Sequence, residues 1–392
     1  MPIKIILSAQ KQQKIIHGHP WVFPQAIQNI IGEPNPGDWV LVYDSQQALI
    51  GAGFFNPHSL YRVRMIANAT HLNRSHDPLH IINMRLQHAL HLRKTLGFPN
   101  VHSNCYRLCN SEGDGLSGLV IDVLNDKVVI SSSALWVEQQ REAITSILKE
   151  HFPKAQVLWF GQSKALKQDG IDHPYRDDAS NIRTIAKEEG VLFEIGFENV
   201  QKTGIFIDQR ENHHRLASLC KGKKVLDLYT YHGGFALHAA LNGASLITAI
   251  DSSAPAIEHA KHNASLNQVS QINWIVDDAK NHLDKAGNYD VVILDPPKLV
   301  PSKKHLNAAK NLYRYLHRQV FKHLSTGSIL MTCNCSSALN AQEFMQLVTQ
   351  QAIAEGRSIQ ILGIYGPARC HPVLAVFPEG HYLTAILLAI MS

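Results

Sequence analysis

The chain is most constrained at residues 224–241, where a predicted strand runs through a loop with Gly233 and Gly234 into a predicted helix. A second predicted strand, residues 246–250, leads directly into Asp251. Glycine lets a backbone approach a ligand closely, and an acidic residue after the second strand of such a unit can hold ribose hydroxyls. The pattern therefore predicts an α/β fold with a site for a ligand that carries a nucleoside.

The same segment lacks the glycine patterns that bind phosphates. It contains neither the Gly-x-Gly-x-x-Gly loop of dinucleotide sites nor the Gly-Lys-Ser/Thr loop of triphosphate sites. A cofactor with a ribose and no phosphate fits this pattern, and we predict S-adenosylmethionine (SAM).

Strand and helix patterns alternate from residue 191 onwards, which predicts a mostly parallel, doubly wound, Rossmann-like sheet. The strands are predicted at residues 224–228, 246–250, 272–276, 291–294, 328–332 and 382–390. Ligands of such sheets bind at the carboxyl ends of the strands. The side chains of chemical interest at or just after these ends, which we expect along one edge of the sheet, are Asp227, Asp251, Asp278, Asp295 and Cys335.

The chain has 392 residues, enough for two or three domains, and its 45% hydrophobic and 18% charged residues are typical of globular proteins. Short strand patterns in residues 1–72 predict a small β-barrel domain. Strands around a predicted helix at residues 135–152 indicate an α+β middle domain over residues 73–188, followed by a third domain over residues 189–392. The formal net charge of +5 permits a nucleic-acid partner without requiring one.

No apolar run reaches the ~18 residues that a membrane-spanning helix needs, and the first residues show no signal-peptide pattern. We therefore expect a cytoplasmic protein with reduced cysteines and no membrane partner. The six cysteines are not spaced as a zinc quartet, and Glu258, His259 and His262 fit a surface helix face better than a metal site. We predict no bound metal, and the sequence is compatible with a homodimer.

Acidic residues at three successive strand ends predict how the cofactor is held. Asp227 belongs to the first loop together with Tyr229 and Gly233. Asp251 is placed to accept both ribose hydroxyls, and Asp278 to accept a hydrogen bond from the adenine amine. A helix cap is the alternative interpretation for each aspartate.

The segment 202–210 precedes the first strand of the sheet. It either enters the domain as a plain loop or covers the methionine end of the cofactor, with polar contacts from Asp208 and Arg210.

The sequence Asp295-Pro296-Pro297-Lys298 predicts a rigid turn, because proline fixes φ and has no amide donor. Such a turn suits a planar base held beside the methyl group, and a turn without a ligand is the alternative. Aspartate at its first position favours contacts with a ring edge.

A thiol at a neighbouring strand end has a specific use. C5 of a pyrimidine is a poor nucleophile, and attack of a thiolate on C6 makes it able to accept a methyl group. Cys335 is our candidate nucleophile, with a buried structural cysteine as the alternative, and for Cys333 we favour the structural role.

Taken together, the motifs resemble the three-domain cytosine-5 methyltransferases of large-subunit ribosomal RNA, the RlmI family, almost from end to end. The segments that carry the resemblance are residues 19–23 and 36–38, residues 112–120, residues 202–204 with 208–210, residues 295–298 and residues 378–383. The resemblance implies an N-terminal PUA domain, a middle domain and a class I methyltransferase domain with a mostly parallel seven-stranded sheet. It also implies SAM as cofactor, a cytosine of 23S rRNA as substrate, and Cys335 as nucleophile beside Asp295.

The chain departs from the family pattern near the expected nucleophile. Cys333 and Asn334 stand where we expect phenylalanine and serine, Leu299 replaces a phenylalanine, and Ser337 replaces a glycine. A guanine or uracil methyltransferase on the same scaffold is therefore a second hypothesis. A non-catalytic RNA-binding assembly factor is a third, since it would need neither the aspartates nor the Asp-Pro-Pro turn.

Basic residues could contact RNA phosphates, which would make affinity fall with salt. The candidates are Arg62, Arg64, Lys298, Lys303 and Lys304.

Overall fold

The computed structural model describes residues 2–197, 205–299 and 305–391. The chain forms two compact units. The first comprises Met1–Ala186, Ile195–Ile205 and Cys370–Gly380, and the second Lys187–Glu194, Phe206–Arg369 and His381–Ser392.

The first unit begins with a six-stranded mixed sheet whose strand order is β2-β6-β5-β4-β1-β3. Its strands are β1 (Lys4–Leu7), β2 (Trp21–Val22), β3 (Ile27–Ile31), β4 (Trp39–Tyr43), β5 (Leu49–Phe55) and β6 (Val63–Asn68), with short helices α1 (Gln13–Ile16) and α2 (Ala69–Leu72). Apolar residues alternate with more exposed ones along β1 and β4, which run parallel to each other. One face of the sheet therefore builds a core from residues such as Ile5, Leu7 and Val40.

The same unit contains a four-stranded sheet of order β10-β9-β8-β7. Its strands and helices are β7 (Cys105–Asn110), β8 (Leu119–Leu124), β9 (Lys127–Ser132), β10 (Gln156–Gly161), α3 (Pro78–Thr95), α4 (Leu135–Gln139), α5 (Arg141–His151) and α6 (Ser163–Gln168). The single helix predicted at residues 135–152 is wrong, because the backbone at Gln140 (ψ 15°) leaves the helical region and separates α4 from α5. A buried pair joins α3 to the turn after β7, with Arg93 Nη1 and Nη2 donating to Asp114 at 2.5 and 2.7 Å.

A two-stranded sheet follows, formed by β11 (Arg183–Glu188) and β12 (Val191–Gly196). The second unit is built on a seven-stranded sheet of order β15-β14-β13-β16-β17-β19-β18. Its elements are α7 (Arg210–Ala217), β13 (Lys224–Leu228), α8 (Gly234–Leu241), β14 (Leu246–Asp251), α9 (Ala254–Leu266), β15 (Ile272–Val276), β16 (Val291–Leu294), α10 (Leu306–His323), β17 (Ile329–Asn334), α11 (Ala341–Ala354), β18 (Ile359–Tyr365) and β19 (Thr384–Ile390). The 3₁₀ helices of the described residues are Pro24–Ala26, Ser111–Asp114, Ile207–Gln209, Ala279–Asn288 and Pro378–Gly380.

The predicted mostly parallel sheet of seven strands is confirmed. Strands β13 to β17 pair in parallel, and β19 lies antiparallel between β17 and β18. All four residues of β16 are buried, as is typical of a central parallel strand covered on both faces. The sequence did not predict β18, an edge strand that is mostly exposed.

No helix among the described residues is both long enough and apolar enough to cross a membrane.

Candidate active site

Asp227 closes the loop between β13 and α8. Its Oδ2 accepts hydrogen bonds from the Thr230 hydroxyl at 2.5 Å and from the Ala236 amide at 3.1 Å. Its buried Oδ1 has no hydrogen-bond partner among the residues that the structure describes. Burial raises the pKa of this carboxyl to about 6. Burying an acceptor without a hydrogen-bond donor costs free energy. Asp227 Oδ1 is therefore suited to accept a hydrogen bond from the ammonium group of a bound amino acid moiety.

The loop itself has an uncommon backbone. Tyr229, Tyr231 and Gly233 have positive φ angles of 68°, 50° and 84°. A left-handed conformation is costly for a large side chain and is characteristic of functional loops. A Cβ on Gly233 would come within 2.9 Å of the Trp274 ring, so packing as well as φ requires glycine there.

Asp251, the last residue of β14, is held facing this loop. Its Oδ2 accepts from the Tyr231 amide at 3.0 Å, and its Oδ1 accepts from the Ser253 amide at 2.9 Å. Each oxygen retains a further lone pair. The carboxylate is therefore fixed in orientation and can still accept hydrogen bonds from a ribose diol.

Asp278 caps the 3₁₀ helix that starts at Ala279, where its Oδ1 accepts from the Lys280 amide at 3.0 Å. Its Oδ2 lies 3.0 Å from the Lys280 ammonium, and the side chain is 42% exposed. Asp278 also contributes to raising the pKa of Tyr229 to about 12, after the larger effect of burial, which indicates that the two side chains are neighbours. The cap geometry is therefore present, and the adenine contact stays a prediction.

Asp208 and Arg210 are both buried and both engaged with other residues of the second unit. The Tyr382 hydroxyl donates to Asp208 Oδ2 at 2.8 Å. The Arg210 guanidinium lies 3.7 Å from Glu189 and 3.6 Å from Glu211. These contacts give both side chains a structural role, and their contact with the cofactor stays a prediction.

Asp295 follows β16 directly and stands level with Cys333 of β17, because Leu294 pairs with Thr332 in the parallel register. Gln209 donates to Asp295 Oδ2 at 3.0 Å. Burial raises the pKa of the Asp295 carboxyl to about 7, and the charges of Asp227 and Asp208 act in the same direction. A substantial fraction of this aspartate is therefore protonated near neutral pH.

The two cysteines beside it differ in environment. Cys333 is fully buried, and burial together with the neighbouring Asp295 raises its thiol pKa well above the ordinary value. Cys335 is the first residue after β17 and is only partly buried. Asn334, which lies between them, holds the turn that comes after Cys335, because its side-chain amide donates to the carbonyls of Ser336 at 3.2 Å and Leu339 at 2.8 Å.

Two family models match the chain, a PUA-like domain over residues 5–68 and an S-adenosylmethionine-dependent methyltransferase over residues 173–361. Two curated relatives, both named ribosomal RNA large subunit methyltransferase I, are similar over nearly the whole chain. The protein of Alteromonas mediterranea is 31% identical over 99% of this chain and 98% of its own length, and that of Aeromonas salmonicida is 30% identical over 99% of both. The chain belongs to the ribosomal RNA large subunit methyltransferase I family.

Solved structures agree on the fold of this family member. SMU.776, a proposed methyltransferase solved in complex with SAH, superposes with a TM-score of 0.83 at 19% identity over 99% of this chain and 100% of that one. A proposed SAM-dependent methyltransferase from Streptococcus mutans gives 0.82 at 19% identity, with the same coverage. The predicted family, the fold class and SAM as cofactor are thereby confirmed.

Several predicted residues of this methyltransferase meet at the carboxyl edge of the sheet, namely Asp227, Tyr229, Gly233, Asp251, Asp295 and Cys335. In the turn after Asp295, Pro296 is buried, whereas Pro297 and Lys298 are exposed and available to a substrate. Residues 202–204, Lys303 and Lys304 lie outside the described residues.

Arg64, one of the candidates for contact with RNA, is not a solvated surface charge, because only 7% of the residue is exposed and its guanidinium donates to Ser117 Oγ. Arg62 is partly exposed, and its guanidinium donates to the Pro57 carbonyl.

Sequence reasoning missed a buried cluster behind the loop. Glu188 Oε1 lies 2.7 Å from His213 Nδ1 and 3.2 Å from His238 Nε2. His213 also packs against Gly234, where an added Cβ would meet the imidazole at 2.5 Å. Glu188 and the histidines are about 25 residues or more apart in the chain, so no local pattern could have indicated the cluster.

Proposed function

We propose that the protein methylates C5 of a cytosine in 23S rRNA through a covalent adduct between Cys335 and C6 of the base. The observation that carries the proposal is that the partly exposed residue Cys335 lies directly after β17, and that β17 is the neighbour of β16, the strand that leads into Asp295. Both curated relatives are named as methyltransferases of the large-subunit ribosomal RNA, which supports the substrate class.

The chemistry requires a thiolate at this position. Cys335 adds to C6, a C–S bond forms, and the electron pair of the C5–C6 double bond makes C5 nucleophilic. SAM, when bound, supplies the methyl group as a sulfonium electrophile. A base then removes the C5 proton, the C5–C6 double bond returns, and the thiolate leaves.

Asp295 suits a second role in the same step. Its pKa of about 7 leaves it protonated often enough to donate a hydrogen bond to N3 of the cytosine. N3 becomes more basic as the thiolate adds, so this hydrogen bond strengthens in the transition state. Gln209 and the Pro296-Pro297 turn hold the carboxyl in place.

Cys333 is a poorer candidate for the nucleophile. It is 0% exposed, and burial beside Asp295 keeps its thiol protonated. Cys335, in contrast, is partly exposed and comes directly before the turn that Asn334 holds, and the Tyr313 hydroxyl donates to the side-chain oxygen of Asn334 at 3.2 Å.

The test compares Cys335→Ala with the matched variant Cys333→Ala. Transcripts of 23S rRNA that contain 5-fluorocytidine are incubated with each protein and SAM, because fluorine at C5 cannot be removed and the adduct persists. We expect a denaturation-resistant protein–RNA complex with the wild type and with Cys333→Ala, and none with Cys335→Ala. A complex that survives in Cys335→Ala would rule out the proposed nucleophile.

Nucleoside analysis of rRNA from a strain without the gene distinguishes the competing functions. Loss of 5-methylcytidine supports the proposal, whereas loss of a methylated guanine or uracil supports another methyltransferase on this scaffold. An unchanged nucleoside profile, with no SAM binding in calorimetry, would favour an RNA-binding assembly factor.

A further inference from the structure

The first unit contains a cavity of about 300 Å³ that the proposed methyl transfer does not use. Its lining includes Trp21, Tyr61, Arg64, Glu112 and Asp169. Two of the segments that carry the family resemblance, residues 19–23 and 112–120, meet at this cavity. Its volume is in the range of small-ligand sites in proteins.

One side of the cavity is aromatic. The rings of Trp21 and Tyr61 stack with centroids 4.0 Å apart and planes 27° apart. Phe377 packs edge-on against Trp21 with centroids 4.6 Å apart. Leu60 lines the same cavity and is 71% exposed, so an apolar side chain stands where the cavity meets solvent. The faces that Trp21 and Tyr61 turn towards each other are occupied, and the Arg64 guanidinium lies over the Tyr61 ring, 4.8 Å from its centroid. The partly exposed Trp21 is therefore the ring on which a single-stranded base could stack.

The other side is charged and buried. Arg64 Nη1 donates to Ser117 Oγ at 3.0 Å, and its guanidinium lies 3.8 Å from Glu112 and 3.9 Å from Asp169. Its Nε is buried and has no hydrogen-bond partner within the described part of the chain. A buried guanidinium with an unused donor is costly unless a ligand acceptor completes it.

Glu112 is held in position by donors on the cavity wall. Its Oε1 accepts from the Trp21 indole at 3.0 Å and from the Ser117 hydroxyl at 2.7 Å. The second oxygen makes neither of these bonds, so it can accept from a ligand. The cavity thus offers an aromatic face, a guanidinium donor and carboxylate acceptors.

We propose that this cavity binds an unpaired guanine base of the RNA substrate. Guanine has acceptors at O6 and N7, which suit Arg64, and donors at N1 and N2, which suit Glu112 and Asp169. Adenine lacks the O6 acceptor and the N1 donor, and the pyrimidines offer less surface to stack on Trp21. The proposal rests on RNA being the substrate, and it adds a second base contact to that proposed function.

The first experiment uses the full-length protein without RNA. GMP, AMP, CMP and UMP are titrated in calorimetry, with tryptophan fluorescence as a second readout because Trp21 lines the cavity. We expect GMP to bind at least tenfold more tightly than the other three. Equal affinity for all four nucleotides, or no GMP binding at millimolar concentration, would overturn the proposal.

The residue-level test uses Glu112→Gln, which keeps an oxygen to accept from Trp21 and Ser117. We expect its GMP affinity to fall at least tenfold while its SAM affinity and thermal midpoint match the wild type. The matched control is Glu150→Gln, an exposed change on α5, which should leave GMP affinity unaltered. Tyr61→Leu provides a second variant, which removes the ring that packs against both Trp21 and Arg64. Undiminished GMP binding in both cavity variants refutes the site.

The two proposals fail separately. If GMP does not bind but Cys335-dependent methylation of rRNA is intact, the guanine site is wrong and the proposed function stands. If GMP binds but Cys335→Ala still methylates rRNA, the proposed mechanism is wrong and the guanine site stands. With rRNA as substrate, Glu112→Gln should raise KM by a larger factor than it lowers kcat, because the cavity contributes to RNA binding and supplies none of the groups proposed for the chemical step.

Discussion

Replacing Glu188 by glutamine tests how much the buried cluster behind the cofactor loop contributes to stability. Glu188 is fully buried, and an ionised carboxylate only accepts hydrogen bonds, so both His213 and His238 donate to it. Burial alone would raise the pKa of this carboxyl. His213 and His238 together outweigh burial and lower the pKa to about 2 from the ordinary value of 4.5.

That difference corresponds to at most roughly 3 kcal/mol, at about 1.4 kcal/mol for each pH unit, because burial lowers the pKa of His238 and leaves it a neutral hydrogen-bond donor at pH 7. Because the folded pKa lies below the unfolded one, this stabilisation is present above pH 4.5 and is lost as the pH falls towards 2. Glutamine cannot carry the charge, so Glu188→Gln should lack this contribution at pH 7. We expect it to lower the free energy of unfolding at pH 7 by about 2–3 kcal/mol.

The measurement is urea unfolding followed by circular dichroism at pH 7 and at pH 3.5. The control is Glu194→Gln on β12, whose carboxylate lies 3.4 Å from the exposed His262 and should contribute less than about 1 kcal/mol. The gap between wild type and Glu188→Gln should narrow at the lower pH. A loss below about 1 kcal/mol at pH 7, or a gap that does not change with pH, would refute the assignment.

Three further predictions concern the sheet edge. Asp251→Asn should weaken SAM binding by about 10- to 100-fold in calorimetry, because the variant loses the charged oxygens that accept hydrogen bonds from a ribose diol. The exposed control Asp284→Asn should leave SAM binding unchanged. Gly233→Ala should lower the thermal midpoint more than Gly222→Ala, because both have positive φ but only the first Cβ meets a neighbour. Asp295→Asn should lower turnover, because the amide is a weaker acid than the carboxyl group that it replaces. It should also stabilise the fold by roughly 2–4 kcal/mol at pH 8 and much less at pH 5, because the raised pKa of Asp295 means that stability of the wild type is lost as the pH rises through about 7. Equal effects at both pH values in urea unfolding would contradict this.

Much of the second unit could be predicted because its signals are local. β13, β15 and β16 have the bounds that the sequence predicts. The mostly apolar, buried runs of β13 and β16 are typical of central parallel strands, whereas β15 is an edge strand of the sheet. The placement of Asp251 and Cys335 at strand ends followed from the same alternation. The sequence did not predict β18, because this exposed edge strand is interrupted by Gly363 and has little apolar periodicity.

Contacts between distant residues could not be predicted. Gln209 donates a hydrogen bond to Asp295, which lies 86 positions away in the chain, and Arg64 donates to Ser117, which lies 53 positions away. The sequence gives the charge of Arg64 but not its burial, which depends on packing between separate segments. Its interpretation as a surface charge failed for that reason.

The position of β19 supports only one of the two halves of the candidate site directly. β13 and β14, which present Asp227 and Asp251, pair with each other and with β16 and β15, whereas β17 pairs along one side with β19, so that Asn334 faces Thr384. The turn that carries Cys335 therefore has its support on that side only when β19 lies between β17 and β18, and neither β13 nor β14 pairs with β19. Mutations that loosen the β18–β19 pairing should leave a protein that still binds SAM but no longer holds its thiol in place, so cofactor affinity alone would be a poor measure of a correctly assembled enzyme.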